Sequence, residues 1–324
     1  MAGNHTPPRP SRVLSWGAGR MQQSPRPPWL SVGPADGRAM EGRAAAPGAG
    51  TVLNALANGS GSAFAIDART TATVELDDSG TVTGTVTGVP DADTRLVERC
   101  VELVCERFGS DGTVPTGGHV RTESEVPMAA GLKSSSAAAN ASVLATLDAL
   151  DRAPADALPA DEPASPDAPT RGAACRLGVE AARDAGVTVT GAFDDASASM
   201  LGGVTVTDNT EDALLSRETL PTSWRALVWT PGERALSADA DVSRCERIAP
   251  VADLVRDLAL DGDYARAMTV NGFAFCAALG FPADPAVEAL PDAAGASGSA
   301  STAGSAGKPS AAQKANPLTV IARA

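Results

Sequence analysis

The sequence predicts an α+β protein of two domains. Three observations carry that prediction: period-two apolar alternation in several short stretches, period-3.6 apolar faces in others, and a strand that runs through a glycine-containing loop into an alanine-rich helix. The 324 residues are 43% hydrophobic, enough to bury a sizeable core.

The first element is a hairpin. Alternation from Ile66 to Val89 (Ala72, Val74, Leu76, then Val82, Val86) surrounds the turn sequence Asp77-Asp78-Ser79-Gly80. Residues 93–108 set Leu96, Cys100, Leu103 and Val104 on one helical face and end at Gly109. Val120, Thr122, Ser124 and Val126 share one face of a strand that Pro127 stops, since proline cannot donate to a ladder. A helix from about Ser134 to Leu150 follows. Residues 151–171, with five prolines, read as a surface loop, and Ala173–Ala185 as a helix. A distinctive loop spans 191–203. Strand 225–230 and helical stretches near 242–260 and 263–279 make a second α+β layer.

Both ends differ in composition. Residues 1–39 hold five arginines, the single acid Asp36 and seven prolines without apolar periodicity, which predicts a disordered extension with no signal-peptide core. Residues 293–316 are rich in Ala, Gly and Ser and read as a flexible segment, after which only Pro317–Ile321 can form a strand. The expected division is a 1–39 extension, an N-terminal domain over 40–215 and a C-terminal domain over 216–324.

A net charge of −13 disfavours nucleic-acid and membrane partners. No apolar run approaches the roughly 20 residues of a membrane span. The five cysteines show no CxxC spacing, which disfavours disulfide and zinc frameworks and fits a reducing cytoplasm. Lysine is confined to Lys133, Lys308 and Lys314, so Lys133, inside the loop described next, is not an ordinary surface lysine.

The segment Pro127-Met128-Ala129-Ala130-Gly131-Leu132-Lys133-Ser134-Ser135-Ser136-Ala137 joins a strand to a helix. Gly131 permits backbone angles that turn several N–H groups toward one point, and the first helical turn adds unpaired amides and the positive dipole end. Ser134 to Ser136 supply hydroxyls for capping, phosphate or Mg²⁺. Chemically this suits a triphosphate, although it is not the GxxxxGK[ST] loop. By spacing alone it equally fits a serine N-cap on an ordinary strand-to-helix turn.

The pattern PxxxGLxSSxA resembles the second motif of the GHMP kinases, the family of galactokinase, homoserine kinase and mevalonate kinase. The variant Gly131-Leu-Lys-Ser-Ser-Ser-Ala137 running on to Asn140 is similar to that of the archaeal shikimate kinase branch. Residues 42–67, with Pro47-Gly48-Ala-Gly50 and Asn54, and residues 190–203, with Asp194-Asp195 followed by Gly202-Gly203, resemble the same branch. The resemblance implies the GHMP fold: an N-terminal domain like domain 2 of ribosomal protein S5 and a ferredoxin-like C-terminal domain, with the site between them. It implies ATP and Mg²⁺ as cofactors and shikimate as acceptor, phosphorylated at its 3-hydroxyl. Loop residues 127–137 would hold the phosphates and Lys133 would add a point charge. Ser135 would be the Mg²⁺ ligand, and Asp195, with Asp194 as alternative, would orient or deprotonate the hydroxyl.

An arginine fork should grip the substrate carboxylate, and Arg43, Arg69 and Arg121 lie near the matched segments. The motifs specify the nucleotide better than the acceptor, so homoserine and mevalonate remain alternatives. The S5 likeness raises an RNA-binding rival that the acidic balance opposes. The family's third motif, SGTGP, is absent; the nearest match is 294–300, which predicts an incomplete C-terminal sheet and an impaired or non-catalytic nucleotide-binding chain.

Overall fold

A computed structural model describes residues 12–15, 40–109, 114–127, 131–155, 169–188, 191–220, 224–229, 242–284, 287 and 318–323. Its organising feature is a long antiparallel pair, β2 (Met40–Leu53) and β3 (Ser60–Asp77). The 18 residues of β3 outrun any single partner. Its later half pairs with β5 (Gly117–Ser124) and its earlier half with β6 (Val204–Asp208), which in turn pairs with β7 (Ala213–Glu218).

The hairpin expected over 66–89 is not formed. Asp77 Oδ1 accepts the Ser79 amide at 2.9 Å and makes the turn, but β4 (Val82–Val86) lies parallel on the outer edge of β5, one strand away from β3. Strand β5 wins the place beside β3 because Val120 and Thr122 extend the buried face of Ala72, Val74 and Leu76, whereas the five-residue β4 is half-exposed along its length.

Helices α1 (Arg95–Phe108), α2 (Ser134–Ala149), α3 (Arg171–Asp184) and α4 (Phe193–Leu201) pack together. The predicted face of α1 (Leu96, Cys100, Leu103, Val104) is buried, and Gly109 ends the helix in an extended rather than left-handed conformation. Helix α2 is enclosed on nearly every side, which its small residues allow: Ala137, Ala141, Ser142, Ala145 and Thr146 are all fully buried. Its flanks touch β2, β3, α1, α3 and α4.

A second apolar cluster joins Val52, Phe64, Ile66, Val204 and Val206 to Trp224, and to Val255, Tyr264 and Phe275 of α6 (Ala249–Leu260) and α7 (Tyr264–Leu279). The stretch expected as one helix over 242–260 is broken into α5 (Val242–Glu246) and α6.

A separate three-stranded antiparallel sheet has the order β1 (Arg12–Ser15), β8 (Trp224–Trp229), β9 (Leu318–Arg323). Strand β9 lies where the tail sequence allowed one. Strand β1 departs from the expected disorder of 1–39 at these four residues: a lone β8 exposes backbone donors and acceptors on two edges, and pairing with them requires no apolar periodicity. The remainder of 1–39, the 293–316 segment and the middle of the 151–171 loop lie outside the described residues. No helix among the described residues is long and apolar enough to cross a membrane.

Candidate active site

Two helix N-termini meet where Lys133 and Asp195 pair. The first belongs to α2. Past buried Val126 and exposed Pro127, the loop residues Met128, Ala129 and Ala130 lie outside the described set. Gly131 takes the left-handed conformation (φ 69°), and the Leu132 carbonyl accepts the Ala49 amide at 3.1 Å, which pins the loop to β2.

Lys133 is itself left-handed (φ 58°, ψ 42°) and stands as the N-cap of α2 without a side-chain cap. The hydroxyls expected to cap this helix do not. The first helical acceptor, Lys133 O, is taken by Ala137 N at 3.1 Å, so the amides of Ser134, Ser135 and Ser136 have no partner inside the helix. Three such N–H groups at a helix dipole's positive end suit an anion. Ser135 is exposed beside them while Ser136 is buried.

The second N-terminus is α4. Residues 191–203, expected as a loop, are a nine-residue helix flanked by Gly191 (φ 81°), Gly202 (φ 73°) and Gly203 (φ 76°). Asp and Ser propensities disguise it; tertiary bonds hold it. Asn140 of α2 donates to Ala196 O at 2.9 Å and Ser199 donates to Pro47 O at 2.6 Å. At the C-terminal end, Arg171 donates to Met200 O at 3.4 Å and Arg217 to Leu201 O and Gly202 O, cations placed where a helix dipole favours them. Its N-cap, Ala192, is a second non-glycine residue in the left-handed region (φ 52°), a conformation that surrounding structure must enforce.

Asp194 and Asp195 occupy the first turn of α4, both buried, with different fates. Asp194 is held by Asn209. Its Oδ1 accepts Asn209 Nδ2 at 2.7 Å, and its amide donates to Asn209 Oδ1 at 3.1 Å. A β-carbon on Gly61 would sit 2.6 Å from Asp194 Cβ, so β3 approaches closely enough that only glycine fits.

Asp195 faces Lys133. Its Oδ2 lies 3.0 Å from Lys133 Nζ, and its buried Oδ1 has no hydrogen-bond partner. Burial first, and the neighbouring Asp194 carboxylate second, push Asp195 up to about 7, against the pull of Lys133. Burial draws Lys133 down, but Asp195 and Asp194 outweigh it and hold the ammonium above its ordinary value. The result is a carboxyl poised near neutrality with one buried, unpartnered oxygen, held by the cation that stands at the N-terminus of α2.

The structure therefore brings together Lys133, Ser134, Ser135, Ser136 and Asp195 from two segments distant in the chain. Asp194, whose Oδ1 accepts from Asn209, acts on the Lys133–Asp195 pair through its charge rather than through a bond. Among the described residues no group of three His, Cys, Asp or Glu could cage a metal. A Mg²⁺ ion bound chiefly through phosphate oxygens needs only one or two protein ligands, and the exposed Ser135 hydroxyl fits that need.

Of the three arginines, Arg43 and Arg121 both stand in register with Thr73, and the Arg43 amide bonds Asp148 near the far end of α2. Arg69 pairs with Pro47, the residue that accepts from Ser199 of α4, and so lies abreast of the site. Sequence reasoning missed Asn209 and Thr207, which no local pattern marks, and placed Gly61 in a family-like segment without its contact to Asp194.

A family model of the GHMP kinase N-terminal domain matches residues 95–203. The shikimate kinase of Halobacterium salinarum is 63% identical over 259 residues, covering 80% of this chain and 84% of the relative. The chain belongs to the GHMP kinase family. This GHMP kinase is also 51% identical over 252 residues to the shikimate kinase of Methanosarcina mazei, covering 78% of this chain and 79% of the relative. In fold it matches homoserine kinase from Cytophaga hutchinsonii (TM-score 0.57, 16% identity, 91% of this chain and 88% of that one). Mevalonate kinase from Methanococcus jannaschii matches at a TM-score of 0.53, 13% identity, 73% of this chain and 78% of that one. The fold is thus the two-domain α+β architecture of these kinases.

Proposed function

We propose that this GHMP kinase transfers the γ-phosphoryl group of ATP to the 3-hydroxyl of shikimate. The observation that carries the reading is the Lys133–Asp195 pair beside the open N-terminus of α2, in a chain 63% identical to a curated shikimate kinase over 80% of its length.

Phosphoryl transfer depends on alignment and charge neutralisation more than on covalent help from the protein. The amides of Ser134 to Ser136 and the dipole of α2 bind phosphate oxygens. Mg²⁺, when bound, supplies charge neutralisation between phosphates, and Ser135 is the protein hydroxyl placed to hold it. Asp195 Oδ1 accepts the acceptor's hydroxyl proton; a carboxyl near 7 is matched to that task at neutral pH. Lys133 favours the ionised form of Asp195 against burial and adds positive charge beside the start of α2. Arg69, abreast of α4, is the arginine best placed among the three to meet the substrate carboxylate.

Coupled ADP release measured with shikimate, homoserine and mevalonate tests the reading. Turnover with shikimate at least about tenfold above the other two is expected, and a preference for either rival would overturn the assignment. A second reading, nucleotide binding without turnover, is motivated by the 293–316 sequence, which lacks the family's third glycine-rich motif. ATP binding with no phosphorylated product from any acceptor would establish it.

A further inference from the structure

Asn209 sits immediately after β6, almost wholly buried at 3% exposure, and both polar atoms of its side chain are used. Its amide nitrogen donates to Asp194 Oδ1 at 2.7 Å. Its carbonyl oxygen accepts the Asp194 amide at 3.1 Å and the Thr207 hydroxyl at 2.7 Å. Its own backbone amide donates to Gly59 O at 2.9 Å, so the residue is anchored to the β2–β3 turn. The pairing with Asp194 is reciprocal: one side chain satisfies both the backbone and the carboxylate of the same residue, and the Asn209 orientation is fixed because a carboxylate can only accept.

Gly61 packs against the third side so closely that a β-carbon there would meet Asp194 Cβ, Cγ and Oδ2. Successive residues on a helix are about 100° apart, so fixing the direction of Asp194 also fixes that of Asp195. An α4 of nine residues has few bonds of its own with which to resist rotation.

We propose that Asn209 is a positioning residue for phosphoryl transfer: by gripping the amide and carboxylate of Asp194 against Gly61, it sets the rotation of α4 that aims Asp195 at Lys133 and the acceptor hydroxyl. The inference rests on the reading of Asp195 as proton acceptor. Asn209 does not touch Asp195; it acts through Asp194.

The test uses the full chain and two variants. Asn209→Leu removes the grip at similar volume. The exchange Asp194→Asn with Asn209→Asp lets every bond be remade with the amide and carboxylate traded. In Asn209→Leu, kcat should fall about 10- to 100-fold, the loss expected of a reacting group displaced by about an ångström, while KM for ATP stays within about twofold because α2 is untouched. Amide exchange at Asp194 should quicken at least about tenfold. The exchange variant should recover kcat to within about fivefold of the parent, as expected of a pair whose effects are coupled.

A folded Asn209→Leu with parental kcat overturns the proposal, as does an exchange variant that regains its melting temperature without regaining kcat. If Asn209→Leu does not fold, the exchange variant decides alone. Shikimate turnover by the parent is measured first: its absence sinks the functional reading, while Asp194 amide exchange still reports whether the grip exists.

Discussion

Replacing Lys133 by methionine removes an ammonium 3.0 Å from Asp195 Oδ2 and keeps most of the side-chain volume. At an effective dielectric constant of about 20, two unit charges at that separation interact by about 5 kcal/mol. The side chains are 20% and 10% exposed, so solvent screens them little. This is a ceiling equivalent to about four pKa units at about 1.4 kcal/mol each, and water entering beside the shorter, uncharged side chain will reduce it. A rise of at least about one unit in the Asp195 titration is the expected outcome. The acid limb of kcat, expected at a midpoint near 7 in the parent, should then move to about 8 or higher, with turnover at pH 7 falling at least about fivefold and recovering at alkaline pH.

Stability follows the same carboxyl. The folded value lies above the ordinary 3.8, so between about 4 and about 7 the native chain binds more protons than the unfolded one, and the contribution of Asp195 to stability falls as pH rises through that window. At about pH 5 Asp195 is protonated in both proteins, no ion pair exists, and Lys133→Met should cost little. At about pH 8 the parent has the pair while the variant's carboxyl still largely holds its proton, and the gap should open by about 1 kcal/mol, the one-unit shift converted at about 1.4 kcal/mol per unit. Kinetic pH profiles and urea melts at the two pH values check both statements. An unmoved acid limb in a folded variant, with a melting difference independent of pH, would refute the reasoning.

Asp195→Ala should lower kcat by about three orders of magnitude or more with little loss of stability, since it removes a buried carboxyl that the fold holds at a cost; a melt and single-turnover kinetics check it. Gly131→Val, at φ 69°, should weaken ATP binding by at least about tenfold in calorimetry while melting changes less, because the loop acts through backbone approach. A chain beginning at Met40 loses β1 from the three-stranded sheet but nothing of α2 or α4, so ATP affinity should remain within about twofold of the full chain by calorimetry.

The start of α2 is legible in the sequence because its signals are local: a strand stop, a glycine and a serine-rich helix start are consecutive in the chain. Asp195 is legible only as a member of a motif, since nothing in residues 190–203 announces that Lys133 will reach it. Helix α4 reads as a loop because Asp, Ser and Gly are weak helix formers, and the bonds that hold it come from Asn140, Pro47, Arg171 and Arg217, far away in sequence. The pairing of β4 escapes the sequence for the same reason: alternation reveals a strand but not its neighbour, and β5 arrives only after the whole of α1. Asn209 could not have been found at all. A lone asparagine after a strand is commonplace, and its meaning lies in Gly61 and Asp194.

The enclosure of α2 has one more consequence. A phosphate site on a mobile flap would tighten locally when filled, whereas the proposed one begins a helix that packs against β2, β3, α1, α3 and α4. Occupancy is therefore felt by the whole domain: ATP at about a hundred times its dissociation constant should raise the unfolding free energy by about 2.7 kcal/mol, distributed over β2, β3 and all four helices rather than over one loop. For this chain the nucleotide is less a visitor to the surface than the last packed layer of the interior.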